Sequence, residues 1–171
     1  MKDGFLKAAA LSPALRVADC AYNAGQIAAA LQACAGRGIK LAVFPELALT
    51  GYTCGDLFFQ QALQQAALQG LAQILQASEG LDLIALVGLP VAVNGKLYNC
   101  AAVVCGGRLL GLVPKTCLPN YGEFYEKRHF APGDKKVRTV TVCGQQVPFG
   151  TQLLFQCRQM PAFVLGVELC E

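Results

Sequence analysis

The sequence of 171 residues predicts an α/β protein with a mixed β-sheet in a layered arrangement. Short apolar runs with strand character alternate with two segments of helical periodicity, and turn signals in the middle of the chain join consecutive strands into hairpins. Hydrophobic residues make up 54% of the chain and charged residues 15%, which favours one globular domain with extensively buried strands. Because hairpin strands are antiparallel, the sheet is expected to be mixed.

The first predicted elements are a strand and a helix. The apolar run at 5–11 is typical of a buried strand. Asn23 and Gln26 then form a capping-box pattern, which predicts a helix that begins at Asn23. Gly36 and Gly38 end this helix, because glycine terminates helices readily.

A second strand and a second helix follow. Residues 41–44 form a short apolar strand that stops before Pro45, since the residue before a proline disfavours helix. Asp56 is predicted to cap a long helix. The apolar stripe of that helix consists of Phe59, Leu63, Ala67, Leu71 and Ile74.

Two hairpins are predicted in the middle of the chain. The apolar run at 83–93 leads through an Asn-Gly turn at 94–95 into a strand at 97–105. A Gly-Gly turn at 106–107 leads into a further strand at 108–113. The aromatic and charged segment 120–133 is expected to be an ordered loop over a site. Three more strand-like runs follow, at 137–143, 151–156 and 162–169.

Charge and hydropathy exclude several classes of function. The formal charge is +3, and no basic tract of five residues occurs, so nucleic-acid binding is not expected. The longest apolar run, 83–93, is about half the length that a bilayer requires, so no membrane association is expected. No clean signal-peptide pattern opens the chain, and we expect a cytoplasmic protein.

The cysteines favour a reducing compartment and argue against a metal centre. There are nine, without any C-x-x-C pair, a pattern typical of reduced cytosolic thiols. A structural zinc site needs clustered Cys or His ligands, and the chain has one histidine, so no metal is expected. The apolar composition and the number of thiols suggest that a partner subunit covers part of the surface, and we expect a homo-oligomer.

Three reactive side chains each follow an apolar strand. Glu46 comes after the strand at 41–44, Lys115 after 108–113, and Cys170 after 162–169. A thiolate is a strong nucleophile, but an ordinary thiol needs a nearby base or cation to form it. Taken singly, these residues have common alternatives: Glu46 as a helix cap, Lys115 as a surface charge and Cys170 as a buried strand cysteine.

In this order and spacing, the three residues resemble the catalytic set of the carbon-nitrogen hydrolases of the nitrilase superfamily. The separations are 69 residues from Glu46 to Lys115 and 55 from Lys115 to Cys170. Within the superfamily, four segments are similar to the amidase domain of bacterial glutamine-dependent NAD synthetases. They are FPELALTGY at 44–52, CGDLF at 54–58, LPNYGEF at 118–124 and EKRHF at 126–130.

The resemblance implies a truncated, layered α-β-β-α sandwich of the nitrilase type. Residues 1–171 would be the N-terminal part of a glutamine amidohydrolase domain, with the rest of that domain and a synthetase domain absent from this sequence. The implied reaction is hydrolysis of glutamine through a thioester on Cys170, with ammonia passed to deamido-NAD. No cofactor is implied for this segment, whereas ATP and magnesium are implied for the synthetase domain.

The resemblance also assigns roles to individual residues. Glu46 is implied as the base and Lys115 as the group that stabilises the oxyanion. Glu126 is similar to a second acidic residue, with a surface ion pair as its alternative. The implied glutamine pocket uses Tyr52, Tyr121, Phe124 and Glu171, for whose aromatic members ordinary packing is the alternative.

Two other functions stay open, and one limitation of this segment is expected. The chain could be a stand-alone nitrilase-type amidase that acts on another small amide. It could also be a noncatalytic piece that serves only in subunit assembly. Since the nucleophile stands one residue before the end of the sequence, we expect the segment by itself to be inactive.

Overall fold

The computed structural model describes residues 5–170, and its centre is a seven-stranded mixed sheet with two long helices. The helices are α1 (Cys20–Gly36), α2 (Gln61–Ala77) and the short α3 (Glu126–His129), and a 3₁₀ turn spans Gly55–Phe59. The first five strands are β1 (Ala8–Ala10), β2 (Leu41–Val43), β3 (Ile84–Val93), β4 (Lys96–Cys105) and β5 (Arg108–Pro114). The last four are β6 (Arg138–Val142), β7 (Gln145–Phe149), β8 (Leu154–Gln156) and β9 (Val164–Gly166).

The sheet confirms the predicted mixture of parallel and antiparallel strands. Its order is β1-β2-β3-β4-β5-β7-β6, and β8 and β9 form a separate antiparallel pair. Strands β1 to β3 are parallel, whereas β3, β4 and β5 form the two predicted hairpins. Strand β7 runs parallel to β5 and antiparallel to β6.

Helix α1 begins earlier than the capping-box pattern predicted. Its cap is Asp19, whose side chain accepts a hydrogen bond from the backbone N–H of Tyr22 at 3.1 Å. The prediction that Asn23 caps the helix was therefore wrong. Asn23 is fully buried inside the first turn, and its amide bonds the backbone of Arg16 and the carbonyl of Leu49. Its polar character serves a tertiary contact rather than the cap.

The predicted cap of α2 was also wrong, although its apolar stripe was largely correct. Asp56 lies in the 3₁₀ turn, and the extended backbone of Gln60 (φ −80°, ψ 126°) separates that turn from α2. Phe59 therefore stays outside α2 and is 52% exposed. The other four residues of the stripe are buried: Leu63, Ala67, Leu71 and Ile74.

Strand β7 was not predicted, because two glutamines and Pro148 weaken its strand pattern. Cys143 and Gly144, both with positive φ (49° and 74°), make the turn that pairs it with β6. Strands β8 and β9 lie within the predicted runs but are shorter, at three residues each. Pairing with neighbouring strands, rather than local sequence, sets these lengths.

The two faces of the central strands have different roles. Alternate residues of β3 and β4, such as Val87 and Ala102, enter the core that also contains the buried faces of α1 and α2. The intervening residues point to the opposite face, where Ala101 and Val113 pack against Leu169. This opposite face receives the reactive residues described below.

Gly88 permits the close approach of the chain segment that contains Glu46. A Cβ atom at position 88 would lie 2.4 Å from the backbone nitrogen of Leu47 and 2.5 Å from the carbonyl oxygen of Pro45. Both neighbours are backbone atoms that cannot rotate away. Replacing Gly88 with alanine is expected to lower the free energy of unfolding by about 1–3 kcal/mol.

Urea denaturation measures this loss, and Gly25→Ala is the matched control. Gly25 lies in α1, and a Cβ atom there meets no atom within 4 Å. Alanine also has the higher helix propensity, so this control is expected to raise the free energy of unfolding by roughly 0.5–1 kcal/mol. Equal stability of the two variants would contradict the assigned packing of Gly88.

Candidate active site

Glu46 lies on a tight turn that leaves β2 and crosses the opposite face of β3. Leu47, the next residue, has a positive φ of 52° and is 99% buried. Its carbonyl accepts the backbone N–H of Thr50 at 3.0 Å and that of Gly51 at 2.8 Å. A non-glycine residue keeps such a backbone conformation only where its surroundings enforce it. The turn therefore fixes the direction of the Glu46 side chain.

Lys115 follows β5 and is held by its backbone on both sides. Its N–H donates to the carbonyl of Asn99 at 2.8 Å, and its carbonyl accepts the N–H of Gly133 at 2.8 Å. The side chain is 2% exposed, and Nζ lies 2.8 Å from Oε2 of Glu46 and 2.8 Å from Oε1 of Glu126. Lys115 is thus a buried cation between two carboxylates.

The two carboxylates decide the charge state of Lys115. Burial alone lowers the pKa of a lysine, but the hydrogen bonds and charges of Glu126 and Glu46 outweigh it and raise the pKa of Lys115 above its ordinary value. The ammonium group is therefore charged at neutral pH. Neither the helix-cap alternative for Glu46 nor the surface alternative for Lys115 agrees with these contacts.

Glu126 opens α3 and faces inward. Its side chain is 5% exposed, so the alternative of a surface ion pair was wrong. The hydroxyl of Tyr52 donates a hydrogen bond to the same Oε1 atom that Lys115 binds. Burial is the largest cause of a raised pKa of Tyr52, Glu126 follows, and Glu46 and Cys170 add to it. Tyr52 consequently stays protonated and lies near both of these residues.

An ion-pair cluster at the surface holds α3 in place. Arg128 donates to both carboxylate oxygens of Asp56 at 2.8 and 2.7 Å, and His129 lies 3.2 Å from Asp56. The hydrogen bonds from Arg128 and His129 lower the pKa of Asp56 to about 2. Asp56, predicted as a helix cap, therefore connects the 3₁₀ turn to the helix that contains Glu126.

Cys170 lies outside the strands on the wall of a cleft. It is exposed, so the alternative of a buried strand cysteine was wrong, and its backbone has a positive φ of 51°. The cleft has a volume of about 670 Å³. Its wall also includes Thr116 and Cys117, which directly follow Lys115, as well as Tyr121. The thiol thus shares a cleft with the segment that follows the buried lysine.

The predicted aromatic residues form a chain of ring contacts at this cleft. The Phe124 ring lies between Tyr52 and Tyr121, with centroid distances of 6.3 and 5.8 Å. Tyr121 is 73% exposed and lines the cleft, whereas Tyr52 reaches the buried carboxylate of Glu126. Glu171, the remaining predicted residue, lies outside the described residues. Of the other seven predicted residues, direct contacts join Glu46, Lys115, Glu126 and Tyr52, ring contacts extend this group to Phe124 and Tyr121, and Cys170 shares the cleft with Tyr121.

Sequence reasoning missed Asn99. This residue of β4 is fully buried, and its Nδ2 atom donates to Oε2 of Glu46 at 2.9 Å. The signal was one amide within a strand that is otherwise apolar from Leu97 to Cys105. A buried amide in such a run needs a hydrogen-bond partner, which identifies it as a candidate.

The described part of the chain lacks two other kinds of feature. Residues 5–170 contain no group of three or more His, Cys, Asp or Glu side chains placed to hold a metal ion. No helix among them has the length and apolar character needed to cross a bilayer.

The sequence and the fold are similar to those of known proteins. Residues 7–171 match the family model described as carbon-nitrogen hydrolase. The glutamine-dependent NAD(+) synthetase of Mycobacterium tuberculosis is 42% identical over 168 residues, which are 98% of this chain and 25% of that protein. The chain thus spans about a quarter of that relative.

Solved structures give the same grouping. The crystal structure of a glutamine-dependent NAD(+) synthetase from Cytophaga hutchinsonii matches 90% of this chain and 26% of its own, with a TM-score of 0.83 and 26% identity. An amidase from Nesterenkonia sp. matches 86% of this chain and 56% of its own, with a TM-score of 0.65 and 22% identity. The α/β fold is that of the nitrilase superfamily, and the described residues form part of such a domain.

Proposed function

The chain belongs to the carbon-nitrogen hydrolase family, and from this membership we propose that it hydrolyses the side-chain amide of glutamine through a thioester on Cys170. The observation that supports the reaction best is the buried Lys115, 2.8 Å from both Glu46 and Glu126, beside a cleft that Cys170 lines. The choice of glutamine rests on the relatives, which are named glutamine-dependent NAD(+) synthetases.

In the first half of the reaction, the Sγ atom of Cys170 attacks the carboxamide carbon of glutamine. Glu46 accepts the thiol proton, and the carbonyl oxygen becomes an oxyanion. The ammonium of Lys115 stabilises both the thiolate and the oxyanion, because a fixed charge in a buried site needs no reorganisation. Glu46 then donates its proton to the nitrogen, the C–N bond breaks, and ammonia leaves the glutamyl thioester.

In the second half, water hydrolyses the thioester. Glu46 accepts a proton from the attacking water, the C–S bond breaks, and Glu46 returns that proton to Sγ of Cys170 as glutamate leaves. Glu126 orients Lys115 through the ion pair at Oε1, and Tyr52 supports Glu126 by its hydrogen bond. Tyr121 and Phe124 wall the substrate pocket, and Glu171 helps to hold the substrate.

We propose a use for the ammonia from the names and the length of the relatives. The relatives are about four times longer than the matched segment. In the natural protein that contains this chain, the ammonia would amidate deamido-NAD in a synthetase domain that uses ATP and magnesium.

A polypeptide of these 171 residues alone is proposed to be a poor glutaminase. The matched segment is 25% of the relatives' length, and Cys170 is exposed within it. A displacement of a reacting group by about 1 Å costs on the order of 100-fold in rate. Ammonia release at the rate of the natural protein would contradict this expectation.

Product analysis with the natural protein tests the proposed function. Glutamine and a set of other small amides, including asparagine and propionamide, are supplied separately, and ammonia and the carboxylic acid are quantified. The expected result is equimolar ammonia and glutamate from glutamine, with kcat/KM at least 10-fold higher than for the other amides. Preference for another amide would instead favour a general nitrilase-type amidase, and no hydrolysis of any amide would favour an assembly role.

A further inference from the structure

Asn99 occupies a buried position where an amide destabilises the fold unless hydrogen bonds or a function in the site compensate for its burial. It lies in the middle of the sheet, opposite Pro90 of β3, and its side chain has no solvent exposure. Its Oδ1 atom is buried and has no hydrogen-bond partner among the described residues. An unsatisfied buried acceptor destabilises the fold, so packing alone does not account for this residue.

The donor end of the same amide reaches the proposed base. Asn99 Nδ2 lies 2.9 Å from Oε2 of Glu46, and Lys115 Nζ lies 2.8 Å from the same oxygen. The reverse orientation of the amide would direct Oδ1 at a carboxylate oxygen, which repels it. The surroundings of Glu46 therefore fix the amide with its nitrogen toward the carboxylate.

Two donors on one oxygen restrict where Glu46 can hold a proton. A carboxylate oxygen has two lone pairs, and on Oε2 Asn99 and Lys115 occupy both. Protonation of Oε2 would break one of these hydrogen bonds. The other oxygen, Oε1, is the atom that can exchange a proton without losing either contact.

We propose that Asn99 is a positioning residue that holds Glu46 so that Oε1 exchanges the proton with Cys170 and with the leaving nitrogen. The backbone carbonyl of Asn99 accepts the backbone N–H of Lys115 at 2.8 Å, so the strand position that carries the amide also fixes the backbone of the cation. This inference rests on the proposed amide hydrolysis, because it assigns the proton-transfer atom of that reaction.

Loss of the Asn99 donor is expected to change the pH dependence of the reaction. A hydrogen bond to a carboxylate favours its charged form, so removing this donor is expected to move the acidic limb of the kcat/KM profile to higher pH. The other titratable groups at this site, Lys115, Glu126, Tyr52 and Cys170, remain in the variant.

Asn99→Leu, in the natural protein, is the direct test. We expect kcat for glutamine to fall about 10- to 100-fold with KM within threefold of the original, because a displaced base slows proton transfer but leaves the pocket walls in place. The acidic limb of the kcat/KM profile should move to higher pH. The serine side chain in Asn99→Ser is too short to reach Glu46, so this variant should show the same changes. It serves as the test if Asn99→Leu does not fold.

Asn23→Leu is the matched control for a purely structural effect. Asn23 is equally buried, and its amide also makes hydrogen bonds, but these join α1 to the backbone of Arg16 and Leu49. Its loss should lower stability without moving the acidic limb. In a Glu46→Gln background, Asn99→Leu should lower kcat less than threefold. Asn99 acts through the Glu46 carboxylate, and this background lacks that carboxylate.

The alkylation rate of Cys170 by iodoacetamide, followed against pH, separates failure of this inference from failure of the proposed function. It reports formation of the thiolate without any substrate. If the unmodified protein does not hydrolyse glutamine, the proposed function fails, and the shift of the alkylation profile in Asn99→Ser still tests Asn99. Folded Asn99 variants with an unchanged acidic limb and an unchanged alkylation profile would overturn the inference.

Discussion

Replacing Lys115 with methionine is expected to lower the rate of ammonia release from glutamine by about 10³-fold or more. Loss of a single well-placed donor to an oxyanion already costs about 10²–10³-fold in kcat. Lys115 also neutralises two carboxylates, with Nζ 2.8 Å from each, and methionine leaves both without a cation. Initial rates at saturating glutamine measure the effect.

The same substitution is expected to destabilise the fold. Removing one partner of a buried ion pair costs about 3–5 kcal/mol, because the remaining charge stays desolvated. The side chain of Glu126 is 5% exposed, so a charge left there is poorly solvated. Because acid neutralises carboxylates, we expect the loss of stability to be larger at neutral pH than at acidic pH.

Urea unfolding at pH 7 and pH 5 measures this difference. Lys135→Met serves as the control, because Lys135 is exposed and its replacement removes the same charge. Its effect should stay within about 0.5 kcal/mol. A Lys115→Met protein as stable and as active as this control would contradict the assigned role of the buried cation.

Replacing Cys170 with alanine is expected to abolish ammonia release, with a loss on the order of 10⁴-fold or more. Among the described residues, Cys117 is the only other residue with a thiol that lines this cleft. Because Cys170 is exposed, the free energy of unfolding should change by less than about 0.5 kcal/mol. A coupled ammonia assay and a denaturation curve measure the two quantities.

Cys157→Ala is the comparison variant for this loss. Cys157 follows β8 and is not among the residues that line the cleft, so its removal should leave the rate within twofold. Substantial activity in Cys170→Ala would mean that another nucleophile acts. Loss of activity accompanied by unfolding would make the substitution structural rather than chemical.

The sequence indicated the central contacts of the site because strand ends meet in space. Glu46 and Lys115 follow strands that lie on either side of β3 and β4, and the fold brings their side chains into contact. Periodicity and turn residues also predicted β3, β4 and β5, whose Asn94 and Gly95 both have positive φ as the hairpin requires. These strands and turns depend on local sequence alone.

Other features depend on contacts between distant segments, which local patterns do not encode. Asn23 and Asp56 have the residue types of helix caps, yet each bonds a partner elsewhere: the backbone of Leu49 for one and Arg128 for the other. Strand β7 forms because β5 and β6 offer partners to it. The role of Asn99 depends on its 2.9 Å contact with Glu46, which is 53 residues away in the chain.

Mapping the adduct of a glutamine analogue tests the account most directly. The natural protein is treated with an analogue that has a diazo ketone in place of the carboxamide, and the modified peptide is identified by mass spectrometry. We expect one adduct, on Cys170, which excess glutamine prevents and which Lys115→Met or Glu46→Gln slows at least 10-fold. Cys117, exposed on the same cleft, should react with iodoacetamide but not with the analogue. Modification of Cys117 in preference to Cys170, or no protection by glutamine, would contradict a nucleophilic Cys170 served by Glu46 and Lys115.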